Sequence, residues 1–585
     1  MHGRRGPESF GGVAPSEVSV AVPITAEALP GTTDPAIITT DRLLATGEPL
    51  TRRYRLLSAV AVGGIVLFAI AWASMLPGEE YPLLFAAATI GLLHYVGVWL
   101  ARWVLLSKMA RPQPLAPEPG LRVAVGTSFV PGAEDLAMLE VTLRALFDMD
   151  YPHDTWVLDE GSSQDVRDLC ERMGVRYFTR LHDPRYVAQS GSFAANSKYG
   201  NYNAWLDAVV DGTYDYVATF DPDHVPSRDF LSKLLGYFRD PAVGCVQAPQ
   251  VYYNQEASFI ARGAAEESYA FYSSFQMAYH ALGYPVVIGS HGVHRLSALR
   301  SVGGFPAHEA EDLYLTMLYR ARKWRGVYVP RILALGAAPV DWDSYLGQQR
   351  RWGRAIVDLK LRTLPVLAAK LSWPGRVIAL FHGAHYFRPL LFLLILLMLM
   401  AMLVWNAVPT FLSSKALLAV GALLATLALV DRFRDRFALD PVRERGPHLR
   451  APILSLAKWP ILFLGFIEAL LGRHEPYRTT RKTGTRLPLS FNAGLLAPTQ
   501  LGVALLVSLA VAIGVARHGT LQPELWVAAG LVVAASLLLA WTESWRPPPA
   551  YDPRLLEERL AELRTSALWG ARNPNDAGVG VRTSR

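Results

Sequence analysis

The hydrophobic positions of this chain fall into two kinds of run. Unbroken apolar stretches occupy Leu56 to Leu76 and Tyr81 to Ala101, then return at Pro389 to Val408, Phe411 to Val430, Leu495 to Ala516 and Leu525 to Thr542. Each approaches the ~20 residues that a helix needs to cross a hydrocarbon core, so six transmembrane helices are predicted. A further apolar segment, Ala451 to Leu471, carries Lys458, Pro460 and Glu468 and has basic loops on both sides. A single crossing would expose one of those loops outside, so the segment is predicted to be interfacial or re-entrant, an ordinary span being the alternative.

From Leu121 to Lys360 the apolar runs shorten. LRVAVGTSF, TWVLD and YDYVATFD have strand length and alternate with helical patterns at Glu134 to Phe147, Asp165 to Met173 and Ser227 to Phe238. That alternation predicts a mostly parallel sheet covered on both faces by helices. Ligands of such sheets sit at the carboxyl ends of the strands, where Asp159 and Asp221 close their apolar runs. Residues 1–50, rich in Pro, Gly, Thr and Ala without periodicity, are predicted to be a disordered tail. The predicted organisation is thus a tail (1–50), two membrane helices (51–111), an α/β domain (112–365), a membrane domain of four helices (366–545) and a short tail (546–585).

Composition narrows the picture. A chain of 585 residues with 51% hydrophobic content is too long for one soluble domain and too apolar to be wholly soluble. Its net charge of +7 does not point to nucleic acid, because the basic residues gather at Arg52 to Arg55, Arg102 to Arg111, Arg432 to Arg450 and Arg473 to Arg486, beside the apolar runs. The short link carrying Glu79 and Glu80 then lies outside, and the α/β domain is expected in the cytosol of a multi-pass protein of the inner (plasma) membrane. The first span has no small-residue cleavage site and reads as a retained anchor. Cys170 and Cys245, both in the α/β region, do not make a disulfide framework.

Four clusters carry the candidate chemistry: VLDEG at Val157 to Gly161, FDPDHVPSRDF at Phe220 to Phe230, AEDLYL at Ala310 to Leu315, and QQRRW at Gln348 to Trp352. Asp221 and Asp223, at i and i+2 past a strand end, suit a divalent cation bound through oxygen, with a diphosphate completing its octahedron. His224 is either a third ligand or a turn residue. Glu311 and Asp312 fall in the first turn of a helix, a place the helix dipole favours for acids and one that also holds a carboxylate base rigidly beside a hydroxyl. Arg350 and Arg351 read either as membrane-flanking cations or, for Arg351, as a fork onto a diphosphate, with Trp352 offering a face to a sugar ring.

In order and spacing, the stretch from FVPGAE through QQRRW resembles the processive family-2 glycosyltransferases, and FDPDHVPSRDFLSKLLGYF is most similar to bacterial cellulose synthase. The resemblance implies a GT-A-type, Rossmann-like domain set between membrane helices. It also implies an inverting polymerase that builds a β-linked glucan from UDP-glucose and extrudes it. Hyaluronan, chitin and mannan-type synthesis remain alternatives, as does non-processive transfer to a lipid. A transporter or silent scaffold fits less well, because every charged motif position is kept and ionisable residues are scarce within the spans.

By the same resemblance, Asp159 contacts the uridine diphosphate, Lys198 and Asn201 of NSKYGN belong to the donor site, and Asp221 and Asp223 hold Mg²⁺ or Mn²⁺. Asp312, beside Glu311, is the base, while Gln348, Arg351 and Trp352 serve the acceptor and diphosphate. CVQAPQ, Cys245 to Gln250, falls where the family has a strand near the acceptor. YRTTRK is similar to the family's gating loop, placing Tyr477, Thr480 and Lys482 over bound nucleotide within 474–486. Ser128 to Gly132 reads SFVPG where the family has TYNEP, and Ala310 replaces a threonine. The implied partners are a UDP-sugar, the growing polysaccharide and the bilayer, with room for an accessory export subunit. The residues after Thr542 show a charged amphipathic helix at Pro553 to Leu568 and are too few to close a β-barrel, so a response to cyclic di-GMP is not expected.

Overall fold

The computed structural model describes residues 38–473, 496–545, 548–549 and 551–565. Its centre is a seven-stranded sheet in the order Arg325–Tyr328, Val243–Gln247, His291–Arg295, Tyr216–Phe220, Val123–Phe129, Asp154–Asp159, Arg176–Phe178. Only His291–Arg295 runs against its neighbours. Strands Tyr216–Phe220 and Val243–Gln247 are buried at every position, as expected where helices cover both faces. On one face Leu139, Leu143 and Leu169 pack with Phe230 against Val125 and Phe220. On the other, Trp205, Leu299 and Tyr319 cover Ala124, Leu158 and Val217.

Helices Leu136–Phe147 and Gln164–Met173 lie where periodicity places them. The helix predicted over Ser227 to Phe238 is shorter, Phe230–Leu234, and tightens into 3₁₀ turns over Leu235–Arg239. Gly236, a poor helix former, lies in that tightened segment. Disorder predicted for residues 1–50 does not hold at 38–42, because Thr40–Arg42 pairs antiparallel with Ala110–Pro112 and Ile38 is buried in the core. The partner strand lies about seventy residues further on, beyond two membrane helices, so no local pattern announces it.

Seven helices among the described residues are long and apolar enough to cross a membrane, by length and composition: the six of the sequence analysis and Arg450–Leu470. The charged groups that set this seventh helix apart turn toward the α/β domain. Lys458 pairs with Glu267 at 2.8 Å and Arg450 with Glu266 at 3.2 Å. Both acids belong to the helix Phe259–Ala270.

The C-terminal helix Pro553–Thr565 is docked. Leu556 and Leu563 join a core with Val225, Val251 and Leu335, which belong to a three-stranded sheet made by Val225–Pro226, Ala334–Gly336 and Val251–Tyr252. Arg559 pairs with Asp440, with side chains 4% and 2% exposed. Removing one partner of a buried pair leaves the other charge uncompensated, typically at a cost of about 3 to 5 kcal/mol. Arg559→Ala is therefore expected to lower stability by about 3 kcal/mol and to release the helix, read as a lower thermal midpoint and as proteolysis near Arg554. An unchanged midpoint with a protected helix would contradict this.

Candidate active site

The carboxyl ends of the parallel strands open into a cavity of about 3300 Å³ that continues between the membrane helices as far as Phe392 and Trp459. At its inner end, strand Tyr216–Phe220 runs into the turn Asp221-Pro222-Asp223-His224. The Asp221 N–H donates to Ser290 O (2.7 Å), the His224 N–H to Asp221 O (3.0 Å), and the Thr142 hydroxyl to Pro222 O (2.8 Å). One ligand atom from each of Asp221, Asp223 and His224 lies within 4.8 Å of the others.

Asp223 is buried, with Oδ1 3.1 Å from His224 Nδ1 and Oδ2 accepting from the Ala337 N–H at 3.2 Å. An imidazole so placed orients the carboxylate. His224 Nε2 is buried without a hydrogen-bond partner among the described residues and faces Gly336, where a Cβ would lie 2.2 Å from it. Two carboxylates and an imidazole together at the inner end of this cavity suit Mg²⁺ or Mn²⁺.

Lys198 opens the helix Lys198–Trp205, capped by Ser197, and its ammonium donates to Asp221 Oδ1 (2.5 Å) and to Gly289 O (2.6 Å). Glu311 Oε1 stands 3.9 Å from it. The Gly289 N–H donates to Asp312 Oδ2 at 3.0 Å, so a single peptide segment ties the lysine to the acid. The Leu313 N–H holds Asp312 Oδ1 at 2.7 Å. A Cβ on Gly289 would meet Asp312 Oδ2 at 3.2 Å and Glu311 Oε1 at 3.3 Å, so any side chain there would press on both acids. Burial pushes the Glu311 carboxyl up to about 7, against the pull of Lys198. Burial also raises Asp312, opposed by its backbone donors from Leu313 and Gly289.

The cluster QQRRW lies on the helix Trp342–Asp358, and Gln348, Arg351 and Trp352 line the same cavity. Arg350 turns away from it onto Glu468 of the Arg450–Leu470 helix, which removes the reading of a cation snorkelling among headgroups. Asn201 also lines the cavity. Its amide donates to Leu158 O at 3.0 Å, while Oδ1 is buried without a partner among the described residues. Asp159 is set apart from this group. Fully buried, it accepts from the N–H groups of Gly161 (2.8 Å) and Ser163 (2.6 Å) and from the Tyr177 hydroxyl (2.9 Å), and its neighbour Glu160 lines the cavity instead. Tyr477, Thr480 and Lys482 lie outside the described residues.

Residues 216–430, from the strand that carries Asp221 to the helix Ser414–Asp431, match the model of glycosyl transferase family group 2. With this mixed sheet, the α/β domain has the GT-A-like fold of a glycosyltransferase, and the chain carries a family 2 glycosyltransferase domain. The cellulose synthase catalytic subunit (UDP-forming) of Pseudomonas fluorescens is 28% identical over 285 residues, 47% of this chain and 36% of that protein. The subunit of the same name from Xanthomonas axonopodis pv. citri is 27% identical over 301 residues, 50% of this chain and 39% of that protein. The matched region is thus well under half the length of these relatives. Among solved structures, a mannosyltransferase from Pyrobaculum calidifontis in complex with GDP-Man and Mn²⁺ superposes with a TM-score of 0.47 and 19% identity, over 67% of this chain and all of that one.

Four residues escape the motif reading. Gly289 and Ser290 sit in VVIGS, a short apolar run followed by small residues, which gives no chemical signal. Arg180, almost fully buried, pairs with Glu160 and donates to Ala194 O (2.9 Å) and Tyr186 O (3.1 Å), holding down the loop that ends at Lys198. Arg354 pairs with Glu309 (3.0 Å) and Glu468 (3.2 Å), joining the QQRRW helix to the segment before Glu311. It was visible as a cation three residues after Arg351, but its partners are distant in sequence.

Gly336 gives the test of the metal turn. A methyl group there has to displace the His224 ring, and with it the Asp223 carboxylate. Gly336→Ala is expected to weaken Mn²⁺ binding at least about tenfold by titration calorimetry, the usual effect of losing a group that orients a ligand. Wild-type affinity in that variant would show that His224 does not organise the site.

Proposed function

We propose that the protein is a processive, inverting membrane glycosyltransferase that polymerises a UDP-sugar, with UDP-glucose and a cellulose-like β-1,4-glucan as the first expectation. The observation that carries this reading is the Gly289 bridge. It sets a lysine and a paired-aspartate turn, suited to a nucleotide diphosphate, beside a carboxylate suited to a base, in a cavity that continues between membrane helices. The family match and the cellulose synthase relatives support the same reading.

Asp221 and Asp223, the latter oriented by His224, would hold Mg²⁺ or Mn²⁺, which would supply charge neutralisation for the departing diphosphate. Lys198 and Arg351 bind the diphosphate oxygens, and Asn201 and the loop around Asp159 shape the donor site. Asp312, fixed by two backbone donors, takes the proton from the acceptor hydroxyl. The freed oxygen bonds to the anomeric carbon as the bond from that carbon to the diphosphate oxygen breaks, with inversion. Trp352 stacks on the terminal sugar and Gln348 hydrogen-bonds to it, positioning the hydroxyl for attack. The membrane helices receive the lengthening chain. Residues 474–486 act as the gating loop, and the α/β domain faces the cytosol.

The direct test supplies the purified protein with radiolabelled UDP- and GDP-sugars and digests the product with linkage-specific hydrolases. Label from UDP-glucose should enter a polymer cut by a β-1,4-glucanase; label confined to a lipid extract would contradict processive synthesis. Excess EDTA should abolish incorporation, with Mg²⁺ or Mn²⁺ restoring it, and full activity in the chelator rules out the metal role.

Asp312→Asn should bind donor normally yet turn over about 100-fold more slowly. A base works only when deprotonated, so a raised pKa means that activity is lost as pH falls through that raised value. The acid limb of kcat/KM should therefore lie well above the ordinary carboxylate range and toward neutrality, as an apparent value of the Glu311 and Asp312 pair. A limb near pH 4 contradicts this.

A further inference from the structure

The turn that carries Asp221 and Asp223 is supported from behind. Val225–Pro226 follows His224 directly and pairs antiparallel with Ala334–Gly336, which pairs in turn, parallel, with Val251–Tyr252. The middle strand brings both contacts that shape the turn: Gly336, against which the His224 ring lies, and next to it Ala337, whose N–H holds Asp223 Oδ2. A displacement of this one strand therefore reaches the imidazole and the carboxylate together.

Strands of two or three residues do not make a sheet that stands alone. Register says which face needs cover. Leu335 is opposite Val225 on one side and Val251 on the other, and residues opposite each other share a face. Leu335 and Gly336 are successive and so point to opposite faces, as do Val225 and His224. The row Val225, Leu335, Val251 is thus turned away from the imidazole.

That apolar row is buried in a core shared with the helix Pro553–Thr565. Leu556 and Leu563, 2% and 1% exposed and seven residues apart on one helix face, belong to this core, and Leu555 and Leu560 pack against it. Between them Arg559 pairs with Asp440, and Glu562 pairs with Arg443 at 2.7 Å. Asp440 and Arg443 lie between the membrane helices Ser414–Asp431 and Arg450–Leu470, and Leu439 beside them joins the same core. The helix is therefore clamped to the link between two membrane helices and, through the shared core, to the back of the small sheet. Among the described residues it contributes nothing to the cavity wall.

We propose that the helix Pro553–Thr565 is a positioning element for the divalent cation. Docked, Leu556 and Leu563 hold the row Val225, Leu335, Val251 and so keep Gly336 and Ala337 where they fix His224 and Asp223. Undocked, the helix leaves that strand free to shift, and the turn loses its geometry for the cation with its own residues unchanged. This role rests on the reading of Asp221 and Asp223 as the metal ligands, and it makes their affinity depend on a segment outside the cavity.

The test titrates Mn²⁺ into the full-length protein by calorimetry and follows amide hydrogen exchange in the same samples. Leu556→Ala/Leu563→Ala should undock the helix, read as fast exchange over 553–565, speed exchange over 334–338, and weaken Mn²⁺ binding at least about tenfold. Exchange over 157–163, where the Gly161 and Ser163 N–H groups hold Asp159, should stay as in wild type. Leu556→Met/Leu563→Met, which refills the core, should keep wild-type affinity. Leu563→Ala alone should give the same signs at smaller size, and it decides the matter where the alanine pair does not fold. Wild-type Mn²⁺ affinity with the helix undocked refutes the positioning role, and a helix that stays docked in the alanine pair refutes its anchoring by these leucines. Equal loss of protection over 157–163 would make the helix a general brace and overturns the role as well. A wild-type protein that binds no Mn²⁺ fails the metal reading itself, whereas binding that the undocked variant retains in full fails only the role of the helix.

Discussion

Four carboxylates, Asp221, Asp223, Glu311 and Asp312, converge at the carboxyl end of one sheet, and everything else in the site answers the repulsion between them. Like charges a few ångströms apart near a protein surface repel by several kcal/mol. Lys198 answers it directly, touching Asp221 and standing near Glu311. Backbone donors from Gly289, Leu313 and Ala337 answer it for Asp312 and Asp223. Burial leaves Glu311 and Asp312 with raised pKa values, as the proposed proton acceptor would require near neutral pH. The chemistry and the electrostatic strain are therefore the same feature.

That crowding is held by contacts reaching into the membrane helices. Arg354 bridges Glu309 and Glu468, and Arg350 adds a second bond to Glu468, so the segment before the acids, the QQRRW helix and the Arg450–Leu470 helix share one charged joint. Lys458 repeats the arrangement with Glu267 and Gln349. The polar residues that make Arg450–Leu470 an awkward membrane helix in the sequence are the ones that fasten it to the transferase domain. A polymer passing from Trp352 toward Trp459 would run beside this joint, along one continuous cavity.

Much of this was legible in the chain, and the reason is periodicity. The six lipid-length runs and the βα alternation placed helices and strands within a few residues, and the motifs marked Lys198, Asp221, Asp223, Glu311, Asp312, Gln348, Arg351 and Trp352, which the fold gathers around one cavity. What escaped depends on long-range contact. Gly289 matters because of what its two peptide groups touch, not because of a side chain. Arg180 and Arg354 matter through partners that lie elsewhere in the chain, as does the strand Thr40–Arg42. Asp159 shows the reverse: the motif marks it, and the structure spends both its oxygens on its own turn and on Tyr177.

The most direct test is a cryo-EM structure of the protein in a lipid nanodisc with UDP and Mn²⁺. The account predicts the metal on Asp221 and Asp223, the diphosphate against Lys198, and the Gly289 to Asp312 contact preserved. A diphosphate bound away from Lys198, or a metal held by other residues, would contradict it.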